Sequence, residues 1–241
     1  MATPNVFLAS GASTSASQFY ETTMKKMMTP DIAPGSIASL NADSSANPAR
    51  RRVLLSLAAA AALPLAACGR DGQLKNVHGI DLTDAKWSAD FSLKDPDGKT
   101  RSIADFKDKL VMLFFGFTQC PDVCPTTLAR AAQVKAGLGA DGSKLQVLFI
   151  TVDPERDTPD VLRAYTTAFD PGFLGLYGDA KQTVDTAKAF KVFFQKVPTG
   201  SSYTMEHTAL TYVFDTRGQL RLALRHEQTA AECLSDIRQL V

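Results

Sequence analysis

The apolar run Leu-Val-Met-Leu-Phe-Phe at 110–115 is continuous rather than alternating, and it empties into Gly116-Phe117-Thr118-Gln119-Cys120-Pro121-Asp122-Val123-Cys124-Pro125. A short unbroken run of strand-forming residues is what a central strand covered on both faces shows. The C-terminal end of such a strand is where a ligand crevice opens. Pro125 lacks an N–H and presets φ for a first helical position, so the spacing predicts Cys124 as the N-cap and a helix over 126–137. Cys120 then lies in the connecting loop. Cys124 sits at the positive end of the helix dipole, which favours its thiolate and lowers its pKa.

Two thiols at this spacing can hold a soft metal or cycle through a disulfide, and the loop is short enough to bring their Cα atoms within disulfide range. A fixed surface disulfide is the plainer alternative. The spacing alone does not choose among the three.

The N-terminal third speaks to compartment. Arg50-Arg51-Arg52 precedes an apolar stretch from Val53 to Ala67, broken only by Ser56 and Pro64, and the stretch ends in Leu65-Ala66-Ala67-Cys68-Gly69. A charged region, a short apolar core and small residues before a cysteine make a bacterial lipoprotein signal. The core falls short of the roughly 20 residues that span a bilayer. Arg51-Arg52-Val53-Leu54-Leu55 also permits twin-arginine export of an already folded domain. Upstream of Arg50 the chain is rich in Ser, Ala, Thr and Asn without periodicity: a disordered extension, or an over-long start with Met24, Met27 or Met28 as the real beginning. The expected organisation is an extension and signal peptide over 1–67, a lipidated Cys68 and tether over 68–84, and one folded domain over 85–241. That places the domain on the periplasmic side of a bacterial membrane, anchored by lipid. Gly69 does not by itself fix which membrane. A formal net charge of +1 argues against nucleic acid as a partner.

With Cys68 assigned to the anchor, three cysteines remain. Cys233 belongs to a closing helix over 230–240, on or beside its apolar face, and reads as a small buried hydrophobe. Outside the cytoplasm a disulfide between Cys120 and Cys124 persists unless a metal or a reductant keeps the pair open.

Along the domain, Phe91 to Lys99 reads as a strand and a Pro/Asp/Gly turn, and Leu145 to Val152 as a second apolar strand. Thr158-Pro159-Asp160 opens a helix, 180–190 is helical, and Val192-Phe193-Phe194 is strand-like. Two strands, Thr208 to Phe214 and Leu220 to Arg225, are joined at Asp215-Thr216-Arg217-Gly218 before the last helix. The order predicts an α/β, thioredoxin-like fold, a central mixed sheet flanked by helices. Of three histidines, His78 in the tether and His226 at a strand end read as solvated. His207 stands at the start of the last hairpin, and in a thioredoxin-like layout the loop entering that hairpin packs on the loop carrying the cysteines. A histidine at a strand start is otherwise a hydrogen-bonded structural residue. Two thiolates and a neutral imidazole suit Cu(I) and can also hold Cu(II). Zinc competes, but a structural zinc site wants a fourth protein ligand. Met205 is a candidate soft auxiliary ligand or a packing residue.

From about Trp87 to Val241 the sequence resembles the Sco (SenC) copper proteins, which assist assembly of the dinuclear copper site of cytochrome c oxidase. The motifs that carry the resemblance are Phe91 to Lys99, Gly116 to Pro125, Val152-Asp153-Pro154-Glu155-Arg156-Asp157-Thr158-Pro159, and His207-Thr208. The resemblance implies that Cys120, Cys124 and His207 are three copper ligands on a thioredoxin-like fold. It also implies that Asp185 matches an acidic position near the site. Asp153, at a strand end, is within reach of the same crevice, though a capping or solvated role fits either carboxylate equally well. The family often carries Asp directly before the histidine, where this chain has Glu206.

The implied function is a periplasmic metallochaperone that takes one copper from a periplasmic donor and delivers it to the copper A domain of cytochrome c oxidase subunit II. The alternative is a thiol–disulfide oxidoreductase in which Cys120 and Cys124 reduce the cysteines of the target copper site, a role that needs no histidine. A peroxiredoxin is disfavoured, because the residues three before Cys124 and Cys120 are Pro121 and Phe117 rather than the Thr or Ser that would activate a peroxide.

Overall fold

A computed structural model describes residues 74–87 and 89–241. The expected export signal, Cys68 and the first part of the expected tether lie outside the described residues. Among the described residues no helix is long and apolar enough to cross a membrane.

The strand predicted from the apolar run is β4 (Leu110–Gly116), preceded by three two-residue strands: β1 (Ile80–Asp81), β2 (Leu93–Lys94) and β3 (Thr100–Arg101). Every residue of β4 is buried. There follow α1 (Val123–Gly137), β5 (Leu145–Thr151), α2 (Pro159–Thr167), β6 (Leu174–Leu176) and α3 (Ala180–Ala189). The chain ends with β7 (Phe194–Thr199), β8 (Ser202–His207), β9 (Thr211–Phe214), β10 (Leu220–Leu224) and α4 (Ala230–Ile237). The main sheet has the order β1-β10-β9-β4-β5-β6. Pairing is parallel across β4-β5 and β5-β6 and antiparallel across β4-β9, β9-β10 and β10-β1. This mixed sheet, with helices in the predicted order, is thioredoxin-like.

The core explains why the central strands tolerate no polar alternation. Phe114 meets Phe149 with ring centroids 5.9 Å apart, and Phe115 meets Phe190 at 5.2 Å and Tyr212 at 6.5 Å. Cys233 is fully buried on α4, as its apolar neighbours predict, and burial pushes its thiol up to about 11. Caps match the sequence where their chemistry is explicit. Thr158 caps α2 with Pro159 as the first helical residue, and Thr229 with Glu232 forms a capping box on α4.

Three expectations are corrected. First, α1 begins at Val123 with Asp122 as its N-cap, so Cys124 lies inside the first turn. Proline is accepted anywhere in that turn, because its missing N–H would have had no intrahelical partner. Second, residues 74–84 are not a free tether. Ile80 and Asp81 pair with Ala223 and Leu222 of β10, and the buried Asp236 carboxylate accepts the His78 and Gly79 backbone N–H groups. Third, His207 does not start the last hairpin. It ends β8, in a separate two-stranded ribbon in which β7 pairs only with β8, and the last hairpin follows as β9 and β10.

Candidate metal and thiol centre

The register of β4 on β5 builds the site. Gly116 stands opposite Thr151, and Val152 N–H donates to the Gly116 carbonyl at 2.8 Å, so the loops leaving the two strands emerge side by side. The first loop carries Cys120 and leads into Cys124. The second carries Asp153, Arg156 and Asp157. Gly116 is required by close approach: a Cβ there would lie 2.8 Å from Cys124 Sγ and 2.7 Å from the Phe149 ring.

Cys120 is half-buried, Cys124 is fully buried, and neither is in a disulfide. Cys120 Sγ accepts the Cys124 backbone N–H at 3.4 Å, an orphan donor at the start of α1. A hydrogen bond from Cys124 holds the Cys120 thiol far below the ordinary thiol range, with further help from backbone N–H groups against the cost of burial. The same bond, together with burial, pushes the Cys124 thiol upward. The helix dipole therefore does not make Cys124 the thiolate, as its position at the helix start predicts. The charge settles on the less buried sulfur, next to the same helix start.

His207 arrives from the base of the ribbon. Its Nε2 lies 3.7 Å from Cys124 Sγ, across 83 residues of sequence. Its Nδ1 lies 3.1 Å from the Thr208 carbonyl oxygen, which can only accept. In the neutral ring that bond places the proton on Nδ1 and leaves the Nε2 lone pair facing the sulfur. Phe114 and Phe117 flank the ring edge-on, each with centroids 6.0 Å away. Among the described residues no three His, Cys, Asp or Glu side chains form a ready-made metal cage. The arrangement is a thiol–thiolate pair with an imidazole in contact, which would close on a metal by side-chain rotation.

The other expected residues divide. Asp153 is buried at the edge of the site, where it accepts the Tyr203 hydroxyl at 2.8 Å and pairs with Arg156 Nε. Asp185 is not brought to the site. It lies on the exposed side of α3, ion-paired with Lys181 at 2.5 Å. Met205 is buried in the core cluster, which is packing. Of the remaining histidines, His78 is exposed but has Nδ1 3.1 Å from Asp236. His226 is half-buried rather than solvated, with Nδ1 lacking a hydrogen-bond partner among the described residues.

Sequence reasoning missed Asp157. It is buried, accepts the Thr118 hydroxyl and the Thr151 hydroxyl at 2.6 Å each, and also accepts the Thr118 N–H at 3.1 Å. Burial raises its pKa, and those hydrogen bonds oppose the rise. The signal was available: an acid three residues before a helix-opening Asp160, in a segment following a buried strand.

The family model described as SCO1/SenC matches residues 81–241. The SCO2-like protein of Rickettsia felis is 36% identical over 137 residues, which cover 56% of this chain and 67% of that protein. Among solved structures, Bradyrhizobium japonicum ScoI with copper bound is 38% identical, with a TM-score of 0.59, covering 64% of this chain and 99% of that one. Apo Sco1 of Thermus thermophilus is 36% identical, with a TM-score of 0.63, covering 70% of this chain and 99% of that one. The family match spans the strand, both cysteines and the histidine-bearing ribbon, and the chain belongs to the SCO1/SenC family.

Proposed function

We propose that the protein is a copper chaperone of the bacterial envelope that binds one copper through Cys120 Sγ, Cys124 Sγ and His207 Nε2 and passes it to the copper A site of cytochrome c oxidase subunit II. The observation that carries this reading is the 3.7 Å approach of His207 Nε2 to Cys124 Sγ, with the other ring nitrogen already occupied. Two sulfurs and one imidazole are a soft, low-coordinate set that suits Cu(I). A structural zinc would want a fourth ligand, and Met205 is engaged in the core. The copper-bound state of the Bradyrhizobium relative supports copper as the metal. Transfer would proceed by ligand exchange, an incoming target thiolate replacing one sulfur while the remaining ligands hold the ion. The cargo would come from a periplasmic donor, and Cys68 would carry the lipid that keeps the domain at the membrane.

One observation favours a second activity in the same site. A depressed, partly accessible Cys120 beside a protonated, buried Cys124 is the arrangement of an attacking and a resolving thiol. In that reaction Cys120 thiolate attacks a target disulfide, Cys124 displaces the mixed disulfide, and the protein's own pair ends oxidised while the target's is reduced.

The test is to mix the copper-loaded protein with a soluble copper A domain whose cysteines are either reduced or oxidised. Chaperone action predicts copper transfer to the reduced domain, slowed by His207→Ala. Reductase action predicts new target thiols from the oxidised domain at a rate that His207→Ala leaves unchanged. Neither product appearing would overturn both readings.

A further inference from the structure

Beyond the three candidate ligands, contacts around the site converge on Arg156, in the loop between β5 and α2. Its Nε pairs with Asp153. Its Nη1 donates to Gln119 Oε1 at 3.1 Å and to the Tyr203 carbonyl at 2.8 Å. The guanidinium carbon lies 3.8 Å from the centre of the Tyr203 ring and 6.0 Å from that of Phe117. Tyr203 returns a bond of its own, from its hydroxyl to Asp153 at 2.8 Å. Lys196 adds a tie from the other ribbon strand, 4.6 Å from the Tyr203 ring and ion-paired with Glu155 at 2.6 Å.

These partners belong to two separate segments. Gln119 adjoins Cys120, and Tyr203 precedes His207 by four residues on β8. The ribbon has no strand partner in the main sheet. Its stance is therefore set by side chains rather than by a shared backbone ladder, and His207 rides at its base. A guanidinium can stack on a ring and donate in a fixed fork at the same time, which an ammonium cannot do.

We propose that Arg156 is a positioning residue that couples the ribbon bearing His207 to the loop bearing Cys120, so that the imidazole joins or leaves the copper together with the ribbon. This rests on the copper reading above. With Arg156 engaged, copper is held by three ligands. When Tyr203 is drawn away from the guanidinium, His207 withdraws and a two-sulfur ion is left open to an incoming thiolate. Arg156 thus sets the balance between retention and release without touching the metal.

The test uses the full-chain protein loaded anaerobically with one Cu(I) and challenged with a chromophoric chelator, with thermal unfolding recorded for each variant. The variants are Arg156→Ala, Arg156→Lys, His207→Ala and the Arg156→Ala/His207→Ala double. The expected result is release about tenfold faster for Arg156→Ala, within the range for residues that orient ligands from outside the coordination shell. Lysine should not restore retention, and the double variant should be no faster than His207→Ala alone. Tyr203→Leu removes the ring stack and the hydroxyl bond to Asp153 while keeping the carbonyl contact, and should speed release in the same direction, including where Arg156→Ala unfolds. Nitrogen hyperfine structure in the electron paramagnetic resonance spectrum of the Cu(II) form should weaken in Arg156→Ala as it does in His207→Ala. Release at the unsubstituted rate, or effects of Arg156→Ala and His207→Ala that multiply, would overturn the coupling. If the unsubstituted protein binds no copper, the copper reading itself fails; if it binds copper and Arg156 does not matter, only the coupling fails.

Discussion

Cys120 and Cys124 divide their labour through one proton. The two residue types and their spacing were legible in the sequence, but the direction of the split was not. A helix start acts on both sulfurs, and the decision falls to burial, which the sequence states only weakly. Cys124 is buried under the core, while Cys120 faces the loop. The Cys124 hydrogen bond lowers the Cys120 pKa, so its thiolate persists at pH values where an ordinary thiol, with a pKa of about 8.5, is protonated. Iodoacetamide should therefore modify Cys120 first, at a rate almost flat from pH 8 down to pH 6, where a free thiol slows more than tenfold. Mass spectrometry of the singly modified protein checks this. A rate that falls tenfold per pH unit across that window would show Cys120 to be an ordinary thiol.

At the scale of elements, strands were legible wherever burial on both faces left an unbroken apolar run, as in β4 and β5. The ribbon was not, because it buries only Met205 fully and offers no apolar run. Phe-Gln-Lys-Val-Pro-Thr and Ser-Tyr-Thr-Met-Glu-His mix exposed and half-buried residues, and Pro198 argues against a strand. The missed signal was the two-residue link Gly200-Ser201, where Gly200 takes φ of +62°, a hairpin connection in glycine's left-handed region. The loop carrying Cys120 has its own anchor in Asp157, which ties Thr118 to Thr151. Asp157→Ala leaves both hydroxyls and the Thr118 N–H without their acceptor, and should cost about 1–3 kcal/mol of stability in denaturant unfolding. Asp157→Asn keeps an acceptor oxygen and suits a site where burial already favours the neutral carboxyl, so it should cost less than half as much. Equal losses for the two variants would contradict this account of the anchor.

The whole molecule assembles its site from distant segments. Parallel pairing of β4 with β5 sets two loops side by side, and the ribbon returns His207 to them from 83 residues beyond Cys124. The far edge of the sheet is closed by the segment that the sequence presents as a tether. Its apolar alternation, Ile80-Asp81-Leu82-Thr83, is too short to carry a strand signal, and its place depends on packing of Leu74, Val77, Ile80 and Leu82 against the core and on a carboxylate on α4. Asp236 accepts from His78 N–H, Gly79 N–H and Gln228 Nε2, and lies 3.1 Å from His78 Nδ1. Asp236→Ala should cost about 3 kcal/mol of stability and speed amide hydrogen exchange at Ile80 and Asp81 more than in β4. Exchange unchanged at β1 would contradict its role as the clasp of that segment.

The central claim, that two sulfurs and one imidazole form a single copper site, is tested most directly by anaerobic Cu(I) titration of the reduced protein against a competing chromophoric chelator. The comparison is between the unsubstituted chain, His207→Ala and Cys124→Ser. The account predicts one tightly bound copper and a loss of at least tenfold in affinity for either substitution. Weak binding by the unsubstituted chain, or an affinity that His207→Ala leaves unchanged, would contradict it and leave thiol–disulfide exchange as the function of the pair.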